Sequence, residues 1–244
     1  MASDGRITDI ARLDAYEMGT EALPMFDLVV ATGALVLLVP LMILIAVAIC
    51  ADSGWPLFFS QTRLGRGGRP FRLYKFRKFH GSCGTNGQAV TVENDSRLTR
   101  VGRVLERAKL DELPQLWNVL KGDMAVVGPR PETPNFADCF DDSCRRVLDY
   151  KPGIFGPSQT LFRNEGSLYG GADDPEQYYR DVLFPTKARI DLAYYPSRTM
   201  WRDIGWIFRG TFAVFGGSPL SGPGANIAES VERWVQENRR ETVR

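Results

Sequence analysis

Residues 28–51, LVVATGALVLLVPLMILIAVAICA, run for 24 positions without a charged side chain, bounded by Asp27 and Asp52. A helix of that length reaches about 36 Å, enough for a hydrocarbon core of about 30 Å. A soluble core helix is usually shorter and carries polar residues on one face, so the run predicts membrane insertion. It does not read as a cleaved signal peptide. It is too long, and the segment before it holds two Arg against six acids, the wrong sign for such a leader. Pro40, thirteenth of the 24, removes a backbone hydrogen bond and predicts a kink. Each arm is then about 18 Å, too short to cross alone but long enough to enter and leave one leaflet. A kinked, re-entrant helix over residues 24–52 is the expectation. Arg63, Arg66, Arg69, Arg72, Lys75, Arg77 and Lys78 follow it, and positive charge this close to a membrane segment marks the cytoplasmic side. The acidic N-terminal segment by itself would fit a spanning helix that begins outside.

Composition bounds the rest. The chain has 244 residues, 44% of them hydrophobic, with 30 Lys+Arg against 29 Asp+Glu. That is too apolar for a disordered chain, and a net charge of +1 argues against a nucleic-acid binder. Four Cys exclude a disulfide scaffold, and a single His leaves room for a His-based triad at one position only. A mean hydropathy of -0.19 excludes a polytopic membrane protein. The charge is uneven: residues 60–110 hold twelve bases and three acids, residues 137–183 nine acids and five bases. A solvated face is the ordinary reading of such an excess, but beside a membrane segment anionic headgroups or phosphates explain it better. The expected organisation is an N-terminal segment (1–23), the membrane helix (24–52), one cytoplasmic body (53–215), and a Gly/Pro/Ser-rich linker with a short polar helix over 227–240 (216–244). The fold class is α+β and predominantly helical.

Residues 97–132 carry the chemistry. Arg97, Arg100, Arg103 and Arg107 share one face if helical and run into Asp111 and Glu112. A basic stripe ending at paired carboxylates suits a polyphosphate and its metal, since Mg2+ takes one or two carboxylates with phosphate oxygens. The plainer alternative makes Asp111 a helix cap with Pro114 early in the next helix. Leu113, Leu116, Trp117 and Leu120 then form an amphipathic face. Val126 and Val127 lead into Gly128-Pro129-Arg130-Pro131, a rigid turn that would present Arg130 in one orientation. A second amphipathic stretch runs from Thr199 to Phe215, with Trp201, Trp206, Phe208, Phe212 and Phe215. Such a segment suits a membrane interface or a core.

The run KLDELPQLWNVLKGDMAVVGPRPE, Lys109 to Glu132, resembles the signature of the bacterial sugar transferases, the monotopic phosphoglycosyl transferases. Further stretches match in order: Trp55 to Phe59 with Gln61, Arg63, Gly65 and Gly68; Phe71 with Tyr74 to Arg77; Arg97 to Thr99 with Gly102 and Arg103; Lys151 to Ile154; Phe162 to Glu165; and Lys187 to Tyr195. The resemblance covers about residues 25 to 215. It implies transfer of a sugar phosphate from a nucleotide-diphosphate sugar to a polyprenol phosphate, through an aspartyl-phosphosugar on Asp111, with release of UMP. It further implies Mg2+ held by Asp111 and Glu112, and Arg130 of the Pro129–Pro131 turn on the nucleotide. Lys75, Arg77, Arg103 and Arg107 fall near the phosphates. The expected partners are donor, lipid acceptor and membrane lipid, with a homodimer compatible and nucleic acid not among them. The location implied is the bacterial inner membrane, and the matched residues do not name the sugar.

The chain departs from that pattern in places. Leu23-Pro24-Met25 replace a basic pair before Phe26-Asp27, and Val39 replaces a Ser before Pro40. Glu106 stands where many members carry Arg, with Arg107 or Lys109 as expected substitutes, and Lys78-Phe79 replace the commoner Ser-Met. Glu106 motivates a second reading, a catalytically silent scaffold for glycan assembly; a third is a single-span anchored nucleotide hydrolase. Other features read as ordinary. His80 and Cys83 lack an orienting partner, Cys139 and Cys144 lack metal-site spacing, and Gly65-Arg66-Gly67-Gly68 is too short for a phosphate-cradling loop.

Overall fold

In a computed structural model the described residues are 4–81, 95–169 and 173–213, with Val231, Arg233 and Gln236; side chains are described from residue 25 onward. The apolar run lies within α1 (Asp4–Ser53), which passes through Pro40 as one helix and also crosses the expected boundary at residues 23–24. Pro40 lacks only its own N–H, so a single backbone bond is lost. Packing holds the helix on both sides of it. Ala31 joins a cluster with Leu116, Val119, Met124 and Val126, whereas Ile45 and Ile49 pack with Phe76 and Leu105. The opposite stripe, including Val29, Val36, Leu37, Ile43, Leu44 and Val47, is bare. Residues 25–53 are long and apolar enough to cross a membrane. Each end of this segment is tied to the body: Asp27 Oδ1 accepts from the Val126 N–H at 2.9 Å and Asp52 Oδ2 from the Val101 N–H at 3.0 Å.

The body has few strands. β1 (Phe58–Leu64) and β2 (Pro70–Phe76) form an antiparallel hairpin in which Phe59 faces Lys75 and Thr62 faces Arg72. Its turn places Gly67 and Gly68 at φ of 68° and 72°, a left-handed conformation open to glycine. β3 (Ala125–Val127) pairs in parallel with β4 (Gly153–Phe155). A Cβ on Gly128 would lie 2.2 Å from the Lys151 carbonyl oxygen, so the chain just after β3 approaches that before β4 more closely than a side chain permits.

Helices surround these pairs. α2 (Arg100–Ala108) starts at Thr99, whose Oγ1 accepts from the Gly102 N–H at 2.8 Å. The cap stops the expected four-arginine stripe short, because Arg97 lies before the helix and pairs with Asp95 at 2.6 Å. Lys109 then turns left-handed at φ 54°, ending α2 ahead of a short 3-10 turn, Leu110–Glu112. α3 (Gln115–Leu120) packs on α1 with Leu116 and Val119 buried and Trp117 outward. The C-terminal half is helical: α4 (Pro157–Leu161), α5 (Pro175–Tyr178) continuing through a wider turn at Tyr179–Leu183, α6 (Phe184–Tyr194) and α7 (Met200–Phe212). On α7, Trp206 is core while Trp201, Phe208 and Phe212 are exposed, so that stretch is part core and part exposed. Phe215 and the expected linker lie outside the described residues, as does the terminal helix apart from helical Val231, Arg233 and Gln236.

Candidate active site

The 3-10 turn after Lys109 puts Asp111 and Glu112 at the side of a cavity of about 1400 Å³. Asp111 is 2% exposed, and its Oδ1 has no hydrogen-bond partner. It caps no helix, because α3 begins four residues beyond it with Pro114 in the capping position. A buried carboxylate oxygen without a partner costs free energy unless something outside the chain uses it.

Glu112 is paired through one of its oxygens. Its Oε1 accepts from Lys75 Nζ at 2.7 Å, and Arg130 Nη1 stands 3.9 Å away. Burial pushes its pKa up, but Lys75, Arg130 and Lys109 more than offset this and hold it well below the usual carboxylate range. Lys75 shows the converse: burial lowers its pKa to about 8, against the opposing pull of Glu112 and Asp111. Burial likewise lowers Lys109. Burial would lower Arg130 too, but Glu112, Glu165 and Glu132 raise it further, so it stays cationic.

Arg130 is presented as the turn predicts. Pro129 O accepts from the Gly153 N–H at 2.9 Å, Pro131 O from Arg63 Nη1 at 3.0 Å, and Gly128 O from Gln159 Nε2 at 2.8 Å. The carbonyls of three of the four turn residues are thereby fixed, while the Arg130 side chain stays about one-third exposed beside Glu112.

The other expected residues divide. Arg103 and Arg107 are exposed on α2 and line the same cavity. Arg77 lines it too, but its Nη2 is committed to the end of α1, donating to Ser53 O at 2.8 Å, Ser53 Oγ at 2.9 Å and Gly54 O at 2.5 Å. Glu106 and Lys78, both departures from the family pattern, form an ion pair at 2.9 Å on the cavity wall. Lys78 thus neutralises the Glu106 carboxylate.

Several cavity residues escaped the sequence reading as site residues. Arg63, Glu132, Arg163, Glu165, Tyr179 and Lys187 all line it. Tyr179 donates to Glu132 at 2.6 Å, and Lys187 pairs with Glu165. Arg63, the Phe162–Glu165 stretch and Lys187 sat in matched stretches, but isolated charges so far from Asp111 in sequence carry no spacing signal.

Asp111 and Glu112 suit Mg2+. Among the described residues no cluster of three or more His, Cys, Asp or Glu forms. A cation that needs only one or two carboxylates and completes its shell with phosphate oxygens and water fits that donor set and the unpartnered Oδ1.

The chain is similar to several known proteins. Over 191 residues the chain is 37% identical to the UDP-N-acetylgalactosamine-undecaprenyl-phosphate N-acetylgalactosaminephosphotransferase of Aeromonas hydrophila, covering 75% of the chain and 41% of that protein. It is also 37% identical over 191 residues to a UDP-glucose:undecaprenyl-phosphate glucose-1-phosphate transferase of Caulobacter vibrioides, covering 75% and 66%. Identity to the undecaprenyl-phosphate galactose phosphotransferase of Salmonella typhimurium is 34% over 203 residues, covering 75% and 38%. The chain therefore spans from about two-fifths to about two-thirds of the length of these relatives. The family model described as bacterial sugar transferase matches residues 20–217, which includes every cavity residue named above, and the chain belongs to that family.

Proposed function

We propose that this protein transfers a sugar 1-phosphate from a nucleotide-diphosphate sugar, UDP-linked as in its relatives, to a polyprenyl phosphate, as the first step of an exopolysaccharide or glycoconjugate. One observation carries the reading. Buried Asp111, one of whose oxygens has no partner, lines a cavity together with Lys75, Lys109 and Arg130 and with the apolar α1 residues Val30, Ala34, Leu38 and Leu41. Cations suit a diphosphate; an apolar wall continuous with a membrane segment suits a lipid acceptor.

Asp111 attacks the phosphorus that bears the sugar. A carboxylate O–P bond forms, the bridging P–O bond breaks, and UMP leaves with the electron pair. The polyprenyl phosphate oxygen, already an anion, then attacks the same phosphorus. It forms the lipid diphosphosugar, frees the Asp111 carboxylate and needs little general-base help. Lys75, Lys109 and Arg130 neutralise the diphosphate, and Glu112 positions Lys75 and Arg130. Mg2+ held by Asp111 and Glu112 would supply charge neutralisation for the leaving phosphate.

The membrane arrangement belongs to the same reading. Both ends of the apolar part of α1 are bonded to one body, which supports a helix that returns to the side it entered, and the basic residues after it support the cytoplasmic face of the inner membrane. UMP release tests the function, with a panel of UDP-sugars, Mg2+ and undecaprenyl phosphate, and wild type beside Asp111→Asn. Release that needs both the lipid and Asp111 is expected. No release from any donor overturns the reading, and release without lipid would indicate a hydrolase.

A further inference from the structure

The cavity contains a second charged cluster that the proposed reaction does not use. It shares the cavity wall with Arg130, whose cationic form both Glu112 and Glu165 favour. Glu165 opens a 3-10 turn, Glu165–Tyr169. It accepts from Lys187 through Oε2 and from the Tyr169 hydroxyl through Oε1. Lys187 Nζ in turn lies 4.6 Å from the centre of the Tyr179 ring. Lys187 is nearly sealed at 7% side-chain exposure, while Glu165 keeps 23% and faces the cavity. Burial raises the Glu165 pKa, but Lys187 and Arg130 more than offset that, so the carboxylate stays ionised.

An ionised carboxylate is a poor neighbour for phosphate oxygens and for the carbonyl edges of a pyrimidine. It is a strong acceptor for hydroxyl groups, and each of its oxygens has room for a second donor. The hexose is the part of the donor richest in hydroxyls, and it hangs from the phosphate that Asp111 attacks. With the phosphates drawn to Lys75, Lys109 and Arg130, the hexose is the part of the donor that a carboxylate on the same cavity wall suits best.

Resting on the transfer reading above, we propose that Glu165, buttressed by Lys187 and Tyr169, is the residue that reads the sugar hydroxyls and sets donor choice. A site built to bond a hydroxyl penalises an analogue that lacks it or points it elsewhere, because the buried acceptor is left unpaired.

The test is equilibrium binding in the Asp111→Asn background, where attack is blocked. The ligands are UDP, UDP-glucose, UDP-galactose, UDP-N-acetylglucosamine and UDP-N-acetylgalactosamine. Glu165→Gln removes the charge; the double variant Glu165→Gln/Lys187→Met removes it without leaving a buried ammonium unpaired, which guards against simple misfolding. The affinity ratio between the best and worst sugar should narrow about tenfold or more in both, the size expected for a lost charge-assisted hydrogen bond. UDP affinity should stay within about twofold, because UDP lacks the hexose. An unchanged ratio in the folded double variant, UDP affinity falling in parallel, or equal binding of all four sugars by the parent overturns the proposal. Those results leave the transfer reading standing if UMP release still needs lipid and Asp111. A parent that binds no nucleotide sugar removes both.

Discussion

Lys75 gives the site its sharpest dependence on pH. Its pKa, brought down to about 8 by burial, lies within reach of an ordinary assay. Below that value the ammonium pairs with Glu112 and adds to the positive field around the diphosphate; above it the charge is lost. The kcat/KM for UMP release should therefore fall as pH rises through about 8, and Lys75→Arg, which does not titrate there, should move that limb upward out of range. A profile unchanged by the substitution would remove Lys75 from the donor site. The rim pair makes a second residue-level prediction. Glu106→Arg alone places a guanidinium beside Lys78 and should cost about 1 kcal/mol, a Tm drop of about 2–4 °C. Adding Lys78→Ser should recover most of it; additive losses in the cycle would mean that the two are not coupled. How far the site was legible follows the same residues. Asp111, Glu112 and Arg130 stand in one compact stretch whose spacing and resemblance name them. Glu165 and Lys187 come together only through the 3-10 turn and α6, so nothing local marks them. Arg77 sits in a matched motif, yet the fold commits one of its terminal nitrogens to the end of α1.

At the scale of elements, the hairpin and α3 must hold a fixed relation for Lys75 to meet Glu112. Asn118 supplies it. The side chain is completely buried; Oδ1 accepts from the Tyr74 N–H at 3.0 Å and Nδ2 donates to Arg72 O at 2.7 Å, the two residues flanking Leu73 on the free edge of β2. Asn118→Ala strands both backbone groups and should cost about 2–4 kcal/mol by denaturant unfolding, with a parallel fall in kcat/KM. Asn118→Asp keeps the acceptor, loses the donor and sets a second carboxylate near Asp123, which Nδ2 also reaches at 3.3 Å, so it should be at least as damaging. A neutral result would show that packing alone sets the register. In sequence, Asn118 looked like a polar position on an amphipathic helix, since the reading weighed only the leucine face. The apolar run was legible because its length and lack of charge carry it, whereas Trp117, expected on one face with Leu116, turns outward while Leu116 is buried. The start of α2 was mis-set, because Thr99 and its cap outweigh the arginine spacing.

For the whole molecule, the question is how one helix can be lipid-facing and part of a core at once. The apolar residues of α1 are spent on both tasks: Ala31, Ile45 and Ile49 seal the body, and the stripe through Val36, Leu37, Ile43, Leu44 and Val47 faces away from it. Asp27 and Asp52 lie 25 positions apart, about 38 Å along a straight helix, and each accepts a backbone N–H of the same body. Were the segment to span, one of those anchors and the elements around it would have to lie across the bilayer from the other. Placing both ends on the cytoplasmic side keeps both bonds. With the four native cysteines, Cys50, Cys83, Cys139 and Cys144, changed to Ser, single cysteines at Ser3 and at exposed Arg100 should both resist a membrane-impermeant maleimide in intact cells. Both should react once the cells are opened. Labelling of Ser3→Cys from outside, with Arg100→Cys protected, would make α1 a spanning helix and require the Asp27 contact to break in the membrane. Asp27→Asn would then leave stability unchanged, whereas a returning helix predicts a loss of about 1 kcal/mol or more from weakening that bond.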